Sequence, residues 1–207
     1  MKSKMKQSII AFLLLFALNS WSQNDKKLWL QENKYNLGLS YFQKKQFNKA
    51  IEPLLFAYKI NPESEIGKES KIKIDLLKPI LRNNFMNKII GTWNLSGSEP
   101  TWVYKDLKNI RLNDTLMVVT SQEIAFYVKN IKTKETRLIR TDKMEFYDVL
   151  ENNNSVTEIV NSDNELWAFI VDESLNGLHL IHSGDVTSSG KKAIDLDNKE
   201  AYYSRVK

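Results

Sequence analysis

The chain has 207 residues, no cysteine, 30 basic and 25 acidic side chains, and a formal net charge of +5. Lacking cysteine, it has no disulfide framework, no thiolate nucleophile or metal site and no cysteine to carry a lipid anchor, so its stability rests on packing. Three of the basic residues are Lys2, Lys4 and Lys6; the remainder stands at +2, which removes the electrostatic reason to expect a nucleic-acid partner.

Those three lysines precede an unbroken apolar run from Ile9 to Leu18, the charge order of a secretory signal peptide. Such a run spans about 15 Å as a helix, half of a hydrocarbon core, so a cleaved leader is expected rather than a retained anchor. Ser20 and Ser22 put small residues where a signal peptidase reads, and the expected cut falls between Ser22 and Gln23. Residues 1–22 are thus a predicted leader. No later stretch reaches spanning length, so the processed form is expected to have no transmembrane span.

From Leu28 to Phe85 the apolar positions recur at helical spacing. Leu37, Gly38, Tyr41, Phe47, Ala50, Leu54, Ala57 and Pro62 together resemble one tetratricopeptide repeat, with Lys34 where that family usually has Trp. The resemblance implies two antiparallel helices. Gly38 would let the second approach the first, Ala50 and Ala57 would share one face of it, and Asn61 with Pro62 would end it, while Pro53 falls inside it. Ile66, Ile74, Leu77, Leu81 and Phe85 predict a third, capping helix over 64–84, bent at Pro79. Residues 23–87 are therefore expected to be helical. A peptide groove takes about three stacked repeats, so this segment is expected to cover the neighbouring strands, with a protein partner as the functional alternative.

From Ile89 onward, short runs rich in Val, Ile, Thr, Tyr and Trp alternate with turn residues. Strands are predicted at Ile89–Ser96, Thr101–Lys105, Thr115–Ser121, Ile124–Asn130, Thr136–Thr141, Glu145–Glu151, Val156–Asn161, Leu166–Asp172, Gly177–Ser183 and Ala201–Val206. No helix-length segment separates them, which predicts an antiparallel barrel or sandwich over residues 88–207. Leu166–Asp172 is apolar at every position through Val171 and is expected to be buried on both faces, one towards the interior and the other towards the helices.

Gly91, Thr92 and Trp93 on the first of these strands, with Arg205 on the last, are similar to the ends of the lipocalin family and its lipocalin-like relatives; Thr141 and Asp142 match part of its middle motif. The resemblance implies an up-and-down barrel of eight to ten strands, with Arg205 stacked on Trp93 at a closed end. It also implies an interior in which Trp102, Tyr104, Phe126 and Trp167, beside Trp93, would either line a cavity for a small apolar ligand or fill it.

Catalytic patterns are thin. His179 and His182 are the two histidines, and three-residue spacing on a strand turns them to opposite faces, so no shared metal is expected. Gly184–Lys192 imitates a phosphate loop with the wrong spacing and no hydroxyl after its lysine. Ser188 to Lys191 (S-x-x-K) and Ser162, Asp163 and Asn164 (S-D-N) stand in reversed order and read as turns. Asp172 with Glu173, Asp195 with Asp197, and Glu158 are the carboxylates available for hydrolysis. Asp195, Asp197, Asn198 and Glu200 form an acidic turn without the glycine of a calcium loop.

The sequence thus predicts an α+β chain: a leader, a helical hairpin with a capping helix, then an antiparallel lipocalin-like barrel. Its expected role is an exported, non-enzymatic binding or interaction protein with no cofactor or metal. A carboxylate-based cell-envelope hydrolase is the alternative. The abundance of Lys, Asn and Ile and the Ser-Trp-Ser-Gln cleavage region resemble exported Bacteroidetes proteins, which makes the periplasm the expected location.

Overall fold

A computed structural model describes residues 25–96, 113–148, 155–174, 176–194 and 198–206. The predicted leader, the expected strand Thr101–Lys105 with Trp102 and Tyr104, and the acids Asp195 and Asp197 lie outside these residues. The chain divides into two compact units, residues 1–78 and 79–207.

The first unit contains α1 (residues 25–43), α2 (Phe47–Ile60) and the start of α3 (Glu65–Ile89). Ala50, Leu54 and Ala57 recur at helical spacing and are fully buried. Gly38 permits the close approach of α1 to α2, since a Cβ there would lie 2.7 Å from Leu54 Cγ. Gln31, also buried, closes the end of α2: its Nε2 donates to the carbonyls of Ala57 and Asn61, both at 2.9 Å. Those carbonyls have no partner within the helix. Ser64 then opens α3 by accepting the N–H of Gly67 at 3.0 Å, as an N-cap hydroxyl does. Helix α3 runs past the predicted Asn84 to Ile89 because Phe85, Met86 and Ile89 continue the apolar spacing and pack into the core of the second unit.

That unit is built on one antiparallel sheet: β1 (Gly91–Leu95), β2 (Asn113–Val119), β3 (Glu123–Asn130), β4 (Thr136–Lys143), β5 (Glu145–Phe146), β6 (Ile159–Val160), β7 (Glu165–Asp172), β8 (Gly177–Thr187), β9 (Gly190–Ala193) and β10 (Glu200–Arg205). The hydrogen-bonded order is β4-β3-β2-β1-β10-β8-β7-β6-β5, with β9 beside β8. First and last strands are therefore neighbours, and Trp93 stands opposite Arg205. Among the described residues the order does not return on itself through backbone pairing. Its two ends, β4 and β5, are nevertheless separated in the chain by Met144 alone.

The core gathers the alternate residues of these strands, among them Trp93, Met117, Phe126, Trp167, Leu180 and Tyr203, together with Met86 and Ile89 of α3. Two expectations for β7 are corrected. Ile170 is 51% exposed, so the strand is not buried on both faces. The helix meets it on the core side, where the Phe85 ring packs edge-on against Phe169 at 6.3 Å. The segment imitating a phosphate loop is the β8–β9 hairpin, in which Asp185 pairs with Lys192 and Thr187 with Gly190.

Candidate functional site

The helix-ward end of the sheet is stoppered by two side chains. The guanidinium of Arg205 lies over the Trp93 indole, 4.5 Å from the ring centroid, and donates to the carbonyls of Ile90 (3.3 Å) and Lys88 at the end of α3. Trp93, 1% exposed, adds its own Nε1–H to Ile89 O at 2.8 Å. Gly91 makes this possible: its φ of 143° lies where side chains are strained, and a Cβ would come within 3.3 Å of the guanidinium. An open cleft of about 310 Å³ lies beside the stopper, with Lys88, Glu173 and Asn176 on its walls. Two of its charged walls are paired with each other, Lys88 Nζ to Glu173 at 2.6 Å.

At the opposite end of β7 the lining turns polar. Arg140 makes a two-pronged contact with Asp142, Nε to Oδ2 at 2.7 Å and a terminal nitrogen to Oδ1 at 2.8 Å. Its other terminal nitrogen reaches Asp163 in the β6–β7 turn at 2.5 Å. The backbone N–H and hydroxyl of Ser162 donate to Asp142 as well, at 3.0 and 2.6 Å. Burial opposes charge on Asp142, but these donors outweigh it and hold its carboxyl below the usual range. Arg140 is likewise opposed by burial and held charged by its two carboxylates. Next to them Glu165, opposed by burial and favoured by Lys199 (2.5 Å) and Asn161 (2.9 Å), is also kept ionised. His182 stacks on Trp167 with centroids 5.1 Å apart and meets Asp185 at 3.1 Å.

Between the two ends lies a cavity of about 30 Å³, lined by Phe126, Trp167, Phe169 and Tyr203 and by the polar Arg140, Asp142 and Asn161. That is room for a water molecule, well short of the several hundred Å³ of a ligand pocket. Phe126 and Trp167 sit together on this wall, both in the core. Chemically the described interior can hold water beside a fixed ion pair.

The other singled-out residues fall elsewhere. Tyr41 is half-buried on α1, and Pro62 is exposed just past α2. His179 faces outward, stacked on Tyr202 at 4.1 Å with Glu200 at 3.0 Å, while His182 faces inward. Ser162, Asp163 and Asn164 form the β6–β7 turn, with Asn164 at φ 60°. Asp172 accepts from Ser174 at the other end of β7. No group of three metal-ligating side chains occurs among the described residues.

Among the described catalytic candidates, Glu158 has an unusual setting. It is 5% exposed, and its Oε1 accepts from Lys191 Nζ (2.6 Å) and Ser183 Oγ (2.8 Å). Its Oε2 is buried with no hydrogen-bond partner. Sequence reasoning missed Arg140, Asn161 and Gln31, whose partners lie in other elements. Comparison with family models, curated proteins and solved structures finds no match, so the chain is read from its chemistry alone.

Proposed function

We propose that this chain is an exported, non-enzymatic interaction protein, in which a lipocalin-like barrel is the rigid body and the helices are the docking element. The barrel reading is supported by the meeting of β4 and β5 at Met144 and by the bonds that Arg140 and Asp142 make to Ser162 and Asp163, which link the two ends of the strand order. The stacked Trp93 and Arg205 fit the closed end of such a barrel. Export follows from the leader.

The observation that carries the interaction role is how little space the described part of the interior leaves. Among the described residues the cavity between its aromatic side chains is about 30 Å³, and binding is assigned to the outside. The exposed apolar side chains there include Leu28, Trp29, Leu37 and Phe56 of the helical unit. Isolated exposed leucines are ordinary, whereas a tryptophan 65% exposed on a helix is not.

Native mass spectrometry of the processed protein tests this. The expected spectrum is the bare chain mass. A co-purifying lipid adduct overturns the filled-interior reading and restores a carrier. The hydrolase alternative draws on Glu158 with its unpartnered Oε2; turnover of a glycan or ester panel, abolished by Glu158→Gln, would establish it in place of the interaction role.

A further inference from the structure

We infer that the outward face of α1 docks on an anionic lipid surface; the inference rests on the helices being the docking element and names their partner. On a helical projection Lys26, Trp29, Leu30, Lys34, Leu37 and Tyr41 share an arc of about 140°. No carboxylate falls in it, because Asp25 and Glu32 project outside. Lys26 is exposed, Trp29 and Leu37 are 65% and 43% exposed, and Lys34 lies 5.1 Å over the ring of Phe56, itself 45% exposed. Asn33 and Ser40 share the arc, so the face mixes exposed apolar side chains with lysines and neutral polar ones and carries no carboxylate, a composition that settles at a lipid headgroup boundary, where tryptophan is favoured.

Charge is divided unevenly along the chain. Residues 25–78 carry eleven lysines and seven carboxylates, so the helical unit is positive although the processed chain is close to neutral. Surface chemistry favours the lipid surface over a peptide, because a docked peptide helix wants a hydrophobic groove. The nearest cleft, lined by Asp25, Lys27, Leu28, Gln31, Ile60 and Asn61, is mostly polar. An anionic bilayer needs no groove and supplies negative charge to match the lysines.

The test is co-sedimentation of residues 23–207, which include every described residue, with vesicles of phosphatidylglycerol and phosphatidylcholine or of phosphatidylcholine alone. Binding is expected only to the anionic vesicles, weakening as salt rises from 50 to 300 mM. Lys26→Ala and Lys34→Ala should each weaken it about fivefold, and Trp29→Ala tenfold or more, while Lys132→Ala in the β3–β4 turn should change nothing. Equal binding to both vesicle types, or equal loss in the Lys132 variant, overturns the assignment. Photo-crosslinking from position 37 in the cell envelope separates the two levels: crosslinks to a protein with no vesicle binding overturn the lipid partner and keep the docking role, and neither signal overturns both.

Discussion

Arg205 spends one side chain on two elements, stacking on an indole while donating to the carbonyls of Lys88, in the last turn of α3, and of Ile90 just past it. A lysine could satisfy a carbonyl but has no plane to lay over Trp93. Arg205→Ala is expected to lower stability by about 1–2 kcal/mol, given its partial exposure, and Arg205→Lys to recover part of that. Trp93→Ala should cost roughly 3–5 kcal/mol, because it empties a fully buried site and frees the Ile89 carbonyl. Denaturant unfolding of the double-mutant cycle measures the pair itself; zero coupling would mean that the stacked geometry contributes nothing. Asp142 supplies a second test at this scale. Its folded pKa is depressed, so its contribution is present above the ordinary carboxylate pKa and is lost as pH falls through the folded value. Asp142→Asn should therefore destabilise at neutral pH by about 2–4 kcal/mol, leaving Arg140 short of a partner, with the difference from wild type shrinking below about pH 4. A difference that stays constant down to pH 2 would contradict the ion-pair account.

At the scale of elements, what the sequence disclosed tracks how local the signal is. Leu178, Leu180 and His182 alternate with less buried neighbours, so β8 announces itself by its period of two. The capping helix, expected over 64–84, runs on to Ile89 because burial of Phe85, Met86 and Ile89 carries it onward. Strand β9 escaped notice because Gly190, Lys191 and Lys192 have neither apolar alternation nor β propensity, and pairing with β8 alone makes them a strand. The Trp93 and Arg205 pair was legible from one family's end motifs, although the two residues are 112 positions apart. Arg140 with Asp163, Lys199 with Glu165 and Lys191 with Glu158 had no such marker. Each is an ordinary charged residue whose partner lies 23, 34 or 33 residues away, and periodicity carries no information about that choice.

At the scale of the whole molecule, α3 runs through the boundary between the two units. Ile74 and Leu77 are fully buried near its middle, and Met86 and Ile89 near its end belong to the core of the sheet. A cut at residue 86 would strip the helix of Ile89 and of every strand that Phe85 and Met86 pack on, so those two side chains would face water. What remains is small: Ala50, Leu54, Leu55, Ala57, Ile74, Leu77 and Leu81 are the buried apolar residues of that stretch, a core too slight to offset the ordering of three helices. Arg82 would also lose its bonds to the carbonyls of Val156 and Tyr147 and its place over the Phe146 ring. Residues 28–86 are therefore expected to remain largely unfolded in isolation, with weak helical circular dichroism and a gradual thermal loss rather than a sigmoid. A cooperative transition in that monomeric peptide would establish the helices as an independent module, and the end of α3 would then be a linker rather than a shared structural element.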